Sequence, residues 1–465
     1  MSERKSSAVV LGGSLAGLLA ARALASAGAR VTVVERDALP AGPEPRKGLP
    51  QARHVHQLWS GGARALEDLL PGALEGLRAA GVRRVPMTTD MVGLSPYGWF
   101  RRWEESAYML PAGRDLLDWV VRERVLAGGG IELLERAEAV GLTGTAREVT
   151  GVRVLPRDGA EHTLPAGLVV DATGRGSRAP HWLAGLGLPA PERREVDSGL
   201  GYASRLFRAP KGARDGFPVV NIAPDPRISG TGRGGVLLPV EDGRWLVTLI
   251  GGRDDELPSG DEDFIPYALG RLRHPLLGEL LAHAEPLGGV TVTRTTANRR
   301  HFYERAARWP EGFAVLGDAV CALNPVYGHG MAVAARSALA LREVTLCRGG
   351  VGAPGLARHV QKAVGRAVAP GWDLAIGSDV FYPGATEAGP TLRDRVLSAY
   401  VDRLLYTATG NGRIARRMTD VTSLQRGAQT LLSPSVLVAA AVGPLRKPLG
   451  EPPLSAAERE AAGAG

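Results

Sequence analysis

The 465-residue chain contains little lysine, and this scarcity bears on whether its positive charge could bind nucleic acid. The net charge of +8 is carried almost entirely by arginine, and the arginines are scattered along the chain. A nucleic-acid surface needs its basic residues clustered on one face. Abundant Arg, Ala and Gly are typical of a GC-rich genome, so we expect no nucleic-acid partner. The lysines are Lys5, Lys47, Lys211, Lys362 and Lys447.

Cysteine is also scarce, and long apolar runs are absent. Cys321 and Cys347 are the only cysteines, and they form no metal-binding or redox spacing and no disulfide framework. We therefore expect a reducing, cytoplasmic location and no metal. No apolar run approaches the ~18 residues that would cross a bilayer. Arg4 and Lys5 precede an apolar stretch, but a Gly-Gly-Ser break and a following strand argue against a signal peptide.

What the chain does contain is typical of a globular enzyme. Hydrophobic residues make up 44% and charged residues 22% of the sequence, and the length fits two to four domains. No internal repeat is visible.

The segment 8–35 predicts a strand, a glycine-rich turn, a helix and a second strand. The turn follows G-x-G-x-x-G with serine at the middle glycine, and Glu35 stands eighteen residues after Gly17. Such a turn lets the backbone approach a pyrophosphate, and a following carboxylate accepts the ribose hydroxyls. A purely structural β-α-β unit would explain the strands but not Glu35. We therefore predict a dinucleotide site that includes Gly12, Gly13, Ser14, Ala16, Gly17 and Glu35.

Two further glycine-bearing turns follow short buried strands, at residues 174 and 317. A nicotinamide dehydrogenase normally needs one such turn. Three turns from distant parts of the chain indicate an FAD molecule lying extended across an α/β domain.

The loop 36–57 is rich in Pro, Gly and Arg and carries His54 and His56. The two histidines have no third metal ligand nearby, so they are interpreted as cofactor contacts or as ordinary loop residues. The polar contacts that we assign to a cofactor are Arg36, Arg46, Gln51 and, at the start of a helical run that begins at residue 114, Arg114.

The remaining patterns predict two interleaved lobes and a helical end. Apolar strands between 197 and 296, with an aromatic-rich segment at 91–108, indicate an antiparallel sheet that either lines an apolar pocket or forms only sheet core. We expect a Rossmann-like α/β FAD domain at 1–82, 110–185 and 297–345, and a sheet domain for substrate at 83–109 and 186–296. Helices are expected at 346–447 and a disordered tail at 448–465.

Three of these segments resemble the motifs of FAD-dependent monooxygenases with the p-hydroxybenzoate hydroxylase fold. GGSLAG with Glu35 is similar to the first motif, and DATGRGSR (171–178) resembles the Asp-Gly motif with its pair spread to Asp171 and Gly174. GDAVCALNPVYGHGM (317–331) resembles the Gly-Asp motif. The resemblance implies that Asp318 binds the ribityl chain and that the following turn approaches the flavin ring. The implied flavin contacts are Gly317, Asp318, Pro325, Gly328, His329, Gly330 and Met331.

A closer resemblance is to the bacterial flavin epoxidases of polyether polyketide biosynthesis, whose chemistry is similar to that of squalene epoxidase. It rests on segments such as RKGLPQARHVHQLWSGGARALEDLLPG, GYASRLFRAP, NRRHFYER and NPVYGHGM. It implies epoxidation of a polyketide or isoprenoid alkene through a flavin C4a-hydroperoxide, with O2 and with NAD(P)H used directly or through a separate flavin reductase. The implied substrate is an apolar polyene, either free or bound to a carrier protein.

Two other functions remain open at this stage: hydroxylation of an aromatic polyketide, and flavin oxidoreduction without oxygen insertion. A halogenase is disfavoured because no Trp-x-Trp-x-Ile-Pro motif is present. No catalytic acid or base is evident. His329 is the candidate, and a backbone-positioning role in a tight turn explains it equally well.

Overall fold

The structure is a computed structural model that describes residues 6–225 and 232–463. The strands, in chain order, are β1 (Ser7–Leu11), β2 (Arg30–Val34), β3 (Gln57–Trp59), β4 (Val85–Pro86), β5 (Met91–Ser95), β6 (Gly98–Trp99), β7 (Tyr108–Pro111), β8 (Ile131–Leu134), β9 (Ala137–Gly144), β10 (Val149–Pro156), β11 (His162–Pro165), β12 (Leu168–Asp171), β13 (Arg193–Val196), β14 (Gly201–Arg208), β15 (Val219–Ile222), β16 (Gly234–Val240), β17 (Arg244–Gly251), β18 (Glu285–Thr293), β19 (Asn298–His301), β20 (Phe313–Val315) and β21 (Cys321–Ala322).

The α-helices are α1 (Leu15–Ser26), α2 (Ser60–Leu69), α3 (Ala73–Ala79), α4 (Arg114–Ala127), α5 (Ala179–Gly185), α6 (Phe264–Gly270), α7 (Leu276–Leu281), α8 (Gly330–Arg348), α9 (Leu356–Asp379), α10 (Leu392–Gly410), α11 (Gly412–Thr422), α12 (Pro434–Val442) and α13 (Ala456–Ala461). Short 3-10 turns follow the ends of several strands, including Gly174–Gly176, Gly317–Ala319 and Pro325–Tyr327. None of the helices in these two described ranges combines the length and the apolar character that crossing a bilayer would need.

A five-stranded parallel sheet forms the core of the first lobe, in the order β20-β12-β1-β2-β8. Its central strand is buried from Ala8 to Leu11, as expected for a parallel sheet covered on both faces. Helix α1 packs against α8 and α4, and α8 packs in turn on α2 and α9. The carboxyl ends of β1, β12 and β20 therefore meet at one edge, where the three glycine-bearing turns follow them.

The second lobe is built on a seven-stranded sheet in the order β18-β14-β17-β16-β15-β5-β6. The sheet is antiparallel, as the sequence predicts, except that β5 runs parallel to β15. This exception arises because β5 enters from the first lobe and is not joined to β15 by a hairpin. The fold is thus mixed α/β, with a parallel-sheet lobe, antiparallel sheets and C-terminal helices. The exact lobe boundaries remain a prediction.

The aromatic residues of segment 91–108 do not line the cavity on the sheet face described below, and most of them pack in apolar cores. Trp99 lies in the core on its other side, beside His274, and Trp103 packs near Gly412 in the helical region. The period-2 pattern is compatible with either face of a strand, and Trp103 packs where α10 and α11 provide apolar partners.

The expectation of a disordered tail is wrong for residues 448–463. Leu449 forms a bridge with Trp99, and Leu454 and Ala462 are buried in the core of the seven-stranded sheet. Helix α13 begins with a capping box between Ser455 and Glu458, and Glu458 also forms an ion pair with Arg102 at 2.8 Å. The tail is rich in Pro, Gly and Ala, which led to the expectation of disorder, but a few buried apolar side chains are enough to dock it.

Candidate functional site

The first glycine turn begins where β1 ends. The backbone N–H of Gly12 donates to the carbonyl of Val34 at 2.8 Å, and Gly12 has φ of +99°. A Cβ at Gly12 would lie 2.8 Å from the carbonyl oxygen of Ala172, and a Cβ at Gly17 would overlap the carbonyl of Gly12. Both positions require glycine because the turn, the helix and strand β12 are in close contact.

Serine replaces the middle glycine because its side chain points into a polar cluster at the start of α4. The hydroxyl of Ser14 accepts from Arg114 Nη2 at 3.0 Å and lies 3.4 Å from Asp118 Oδ1. It does not cap α1, and the first turn of α1 has no acidic residue. The N-terminus of α1 is therefore free to attract an anion.

Glu35 is tied to this turn by both of its carboxylate oxygens. Oε2 accepts from the backbone N–H of Gly13 at 2.6 Å, and Oε1 accepts from that of Asp37 at 3.0 Å. Arg46 lies 3.5 Å from Glu35 and 3.4 Å from Asp118, and its side chain is only 6% exposed. Arg46 and Arg114 thus stand beside the glycine turn, and Glu35 helps to hold it; the assignment of these residues to a cofactor stays a prediction.

The turn after β12 does not present its carboxylate to a ligand. Asp171 is fully buried and accepts three hydrogen bonds within its own turn, two from Thr173 and one from the hydroxyl of Ser177 at 2.6 Å. Burial raises its pKa, and these hydrogen bonds oppose the shift. Arg175 extends from the same turn and donates to the carbonyls of Ala297 and Leu323. This segment therefore braces the third glycine turn.

The third turn leaves an open cradle beside Asp318. The nearest atom to a Cβ built at Gly330 is Asp318 Oδ1, at 3.9 Å. Asp318 is partly exposed, and its carboxylate makes no hydrogen bond within residues 6–225 and 232–463. Burial raises its pKa, which the charges of Arg175, Arg114 and Arg299 oppose. A carboxylate without a protein partner, next to a helix N-terminus without a side-chain cap, is a receptor for hydroxyl groups.

The turn Pro325–Tyr327 is held from beneath by a buried polar network that the sequence did not reveal. Asn324 is fully buried; its amide donates to Asp379 Oδ2 at 2.9 Å, and its carbonyl oxygen accepts from the hydroxyl of Tyr202. Asp379 also accepts from Asn298 at 2.6 Å and from the hydroxyl of Tyr327 at 2.5 Å. Burial raises the pKa of Asp379, and the hydrogen bonds that it accepts oppose the rise.

His329 lies away from the cavity described below. Its Nε2 lies 2.8 Å from the carbonyl of Thr422, and its ring stacks on Tyr327 and lies 6.2 Å from the ring of Trp59. Burial lowers its pKa to about 4, so the ring is neutral near pH 7. The geometry fits the backbone-positioning role and gives no support to a catalytic one.

The other predicted contacts fall at the rim of the site or beneath it. Pro325 is exposed in the turn Pro325–Tyr327. Met331 is buried near the start of helix α8. Arg36 and Gln51 are exposed, at the end of β2 and in the short turn Pro50–Arg53. Their assignment to a cofactor remains a prediction.

A cavity lies between the face of the seven-stranded sheet and the turn Pro325–Tyr327. It encloses about 650 Å³ of space that opens to solvent. Its walls are mainly aliphatic, and none of the described lining residues is acidic, Lys or Arg. The lining comprises His54, Val55, Gln57, Trp59, Met91, Met109, Tyr202, Val219, Asn221, Val236, Leu238, Thr248, Ile250, Pro325 and Val326. Of the two roles left open for the apolar strands, lining a cavity is the one that alternate residues of β15, β16 and β17 take.

These residues match the shape and charge of an extended dinucleotide with a flavin ring. The N-terminus of α1 and the arginines beside it suit the pyrophosphate, Glu35 and Asp318 supply carboxylates for hydroxyl groups, and Gly330 leaves space where a Cβ would intrude. The sequence-predicted residues therefore converge, although they come from segments up to about 300 residues apart.

Comparison with known proteins places this architecture in a family. Residues 5–344 match the family model described as FAD binding domain. The chain is 34% identical to Protein Rv3254 of Mycobacterium tuberculosis over 399 residues, covering 83% of both chains. It is 28% identical over 439 residues to kynurenine 3-monooxygenase of Salinispora arenicola, covering 87% of this chain and 85% of the relative.

Solved structures show the same fold. The triple mutant of the flavin-dependent brominase Bmp2 has a TM-score of 0.64 at 16% identity, covering 94% of this chain and 97% of the other. PqsL of Pseudomonas aeruginosa, a probable FAD-dependent monooxygenase, has a TM-score of 0.58 at 18% identity, covering 81% of this chain and 94% of the other. The family match covers well over half of the chain and includes all three glycine turns. The chain belongs to the FAD-binding monooxygenase family, with the fold of p-hydroxybenzoate hydroxylase.

Proposed function

We propose that this FAD-dependent monooxygenase epoxidises an isolated alkene in a polyketide or isoprenoid chain. The observation that carries the proposal is the cavity, which lies against Pro325 and Val326 and is lined by apolar and uncharged polar side chains. Burial lowers the pKa of His54, in its wall, to about 4. An alkene needs orientation and a dry environment, and it does not need to be ionised before it reacts.

The residues around the three glycine turns would hold the cofactor. The start of α1 with Arg46 and Arg114 would bind the pyrophosphate, and Glu35 and Asp318 would accept hydrogen bonds from its sugar and ribityl hydroxyls. When bound, FAD supplies the activation of O2 and the transfer of one oxygen atom.

The chain's own residues then determine what can react. Val219, Val236, Leu238 and Ile250 keep water away from the face of the sheet on which the substrate would lie. Trp59 and the turn at Pro325 close the opposite wall, where the indole N–H of Trp59 donates to the carbonyl of Tyr327 at 3.0 Å. The rigid turn fixes which part of the chain, and which face of the alkene, is presented. A single handedness of epoxide follows.

The electron donor and the carrier of the substrate are further parts of the proposal. We infer reduction by NAD(P)H, either directly or through a separate flavin reductase, and an apolar polyene substrate that is free or attached to a carrier protein. The open end of the cavity leaves room for a tethered chain.

Oxygen-isotope labelling of purified yellow protein tests this function. Candidate polyenes and phenols are incubated with a reductant and ¹⁸O2, and the products are analysed by mass spectrometry. One ¹⁸O atom in a polyene epoxide, at a rate that does not follow a substrate pKa, is the expected result. Turnover of phenols alone, at a rate that follows phenol ionisation, would establish a hydroxylase instead. A product without ¹⁸O would establish an oxidoreductase without oxygen insertion.

A further inference from the structure

Three polar side chains and one valine form a row across the sheet face that borders the cavity. On the seven-stranded sheet Asn221 pairs with Val236, Val236 with Thr248, and Thr248 with Ser204, so the four residues form one cross-strand row. Residues in such a row share a face of the sheet. Thr248 and Ser204 are 2% and 1% exposed.

This row fixes the ring of His54. The Nδ1 atom of His54 lies 2.8 Å from the hydroxyl of Ser204, which is hydrogen-bonded to the hydroxyl of Thr248. Thr248 in turn accepts from the backbone N–H of Val55 at 3.3 Å. His54 is only 5% exposed and lines the cavity, and its Nε2 has no hydrogen-bond partner within residues 6–225 and 232–463.

The order of donors along this chain assigns the tautomer of His54. Within the described residues the hydroxyl of Thr248 has one acceptor, Ser204, and the hydroxyl of Ser204 can donate to Thr248 or to His54. Both hydroxyl protons are used when Thr248 donates to Ser204 and Ser204 donates to Nδ1. The ring proton then resides on Nε2, and burial keeps the ring uncharged near neutral pH.

We propose that Nε2–H of His54 donates a hydrogen bond to an oxygen acceptor on the substrate, and that this contact sets the position of the alkene. The substrate is therefore an apolar chain that carries a carbonyl, ether or hydroxyl oxygen. A buried polar anchor in a mainly aliphatic cavity orients a ligand, because a buried donor left unpaired is costly. This inference rests on the proposed function, since it identifies the substrate of the same cavity.

Two matched ligands test the anchor by binding alone. The probes are geranylacetone, a diene ketone, and the hydrocarbon in which a CH2 group replaces its carbonyl. Each is titrated into the FAD-loaded protein, and binding is followed through the absorbance of the flavin. We expect the wild-type protein to bind the ketone about tenfold more tightly than the hydrocarbon.

The variants separate the hydrogen bond from packing. His54→Phe keeps a planar ring and should make the protein bind the ketone and the hydrocarbon about equally tightly. Ser204→Ala, which no longer fixes the tautomer of His54, should reduce the preference for the ketone in part. Met109→Leu changes an apolar wall residue and should keep the preference. Unchanged FAD absorbance shows that each variant is folded, and if His54→Phe is not, Ser204→Ala decides. A ketone preference as large in the decisive variant as in the wild type, or no preference in the wild type, overturns the proposal.

The same samples distinguish this inference from the proposed function. A ketone preference that depends on His54, combined with products that contain no ¹⁸O, would leave the anchor in place and reject the monooxygenation. Epoxide labelled with ¹⁸O, formed without any ketone preference, would do the reverse.

Discussion

At the scale of single residues, the region that we assign to the cofactor contains charged side chains that each make several contacts within the protein. Glu35 illustrates this, because its carboxylate accepts two backbone hydrogen bonds and lies beside Arg46. Glu35→Ala would remove an acceptor for the ribose and loosen the glycine turn together. We expect FAD affinity to fall about ten- to a hundredfold, since a hydrogen bond to a charged group contributes roughly 1.5 to 3 kcal/mol.

Equilibrium dialysis with FAD measures this loss. Glu35→Gln keeps the length of the side chain and one acceptor oxygen, and is expected to lie between the wild type and the alanine variant. If the alanine variant retains FAD as well as the wild type does, the assignment of Glu35 is wrong.

The buried His329 makes the free energy of unfolding depend on pH. Burial lowers the pKa of His329 to about 4, whereas an unfolded histidine titrates near 6.5. The unfolded chain therefore binds more protons at this residue in this window, so the contribution of His329 to stability is complete above pH 6.5 and is lost as the pH drops towards 4. Each such group contributes at most about 1.4 kcal/mol per pH unit.

Urea unfolding at several pH values, with FAD held constant, tests this dependence. His329→Asn should flatten the loss of unfolding free energy between pH 6.5 and 4 relative to the wild type. The exposed His283 provides a control, and His283→Asn should leave the slope unchanged. An equal slope in wild type and His329→Asn would contradict the expectation.

At the scale of elements, the turn that precedes α8 is the most constrained part of the site. Tyr327 in this turn donates to Asp379, and Gly330 leaves open space that we assign to the flavin ring. Gly330→Val would place a branched side chain in that space, where Asp318 Oδ1 lies 3.9 Å from a Cβ built on Gly330. We expect a folded protein that purifies without colour. Asp318→Ala, which removes one carboxylate, should weaken FAD less.

Gly377→Val is the matched control for this variant. Gly377 lies in helix α9, is exposed, and has no atom within 4 Å of a Cβ built on it. Its replacement changes helix propensity alone and should leave the protein yellow. A yellow and fully active Gly330→Val protein would show that this turn does not face the flavin.

The elements also show which features the sequence could predict. Strand β1, its turn and α1 follow a local pattern, so residues 8–35 were sufficient to predict them. The anchor that joins His54 to Ser204 connects residues 150 positions apart, and the network around Asp379 connects four segments. No spacing rule links such residues, since only the packed sheet brings them together. Asp171 was likewise ambiguous, because a turn can bind its own carboxylate.

At the scale of the whole molecule, the end of the chain stabilises the sheet lobe. Leu454 is 8% exposed and belongs to the core of the seven-stranded sheet, which is separate from the core of the parallel sheet. Ending the chain after Lys447 should lower the free energy of unfolding by about 1.5 to 3 kcal/mol, the value of one buried leucine side chain. The FAD content should be unchanged.

Leu454→Ala in the full chain should reproduce most of that loss in a denaturant titration. Leu445→Ala offers the comparison, because Leu445 is 71% exposed and its loss should have little effect. A truncated protein as stable as the full chain would mean that the docked tail contributes nothing.

The arrangement of the parallel sheet determines when the cofactor site can exist during synthesis. Strand β1 pairs with β12, β12 pairs with β20, and the last glycine turn follows β20. At the translation rate of a ribosome, roughly 15 to 60 seconds separate the emergence of Gly17 from that of Met331. In this interval β1 and β2 pair with each other, and β8 and β12 join them once residue 171 has been made, but β12 still lacks its partner β20. The three glycine turns therefore exist together only after at least two-thirds of the protein has been synthesised, and we expect capture of FAD to follow that point.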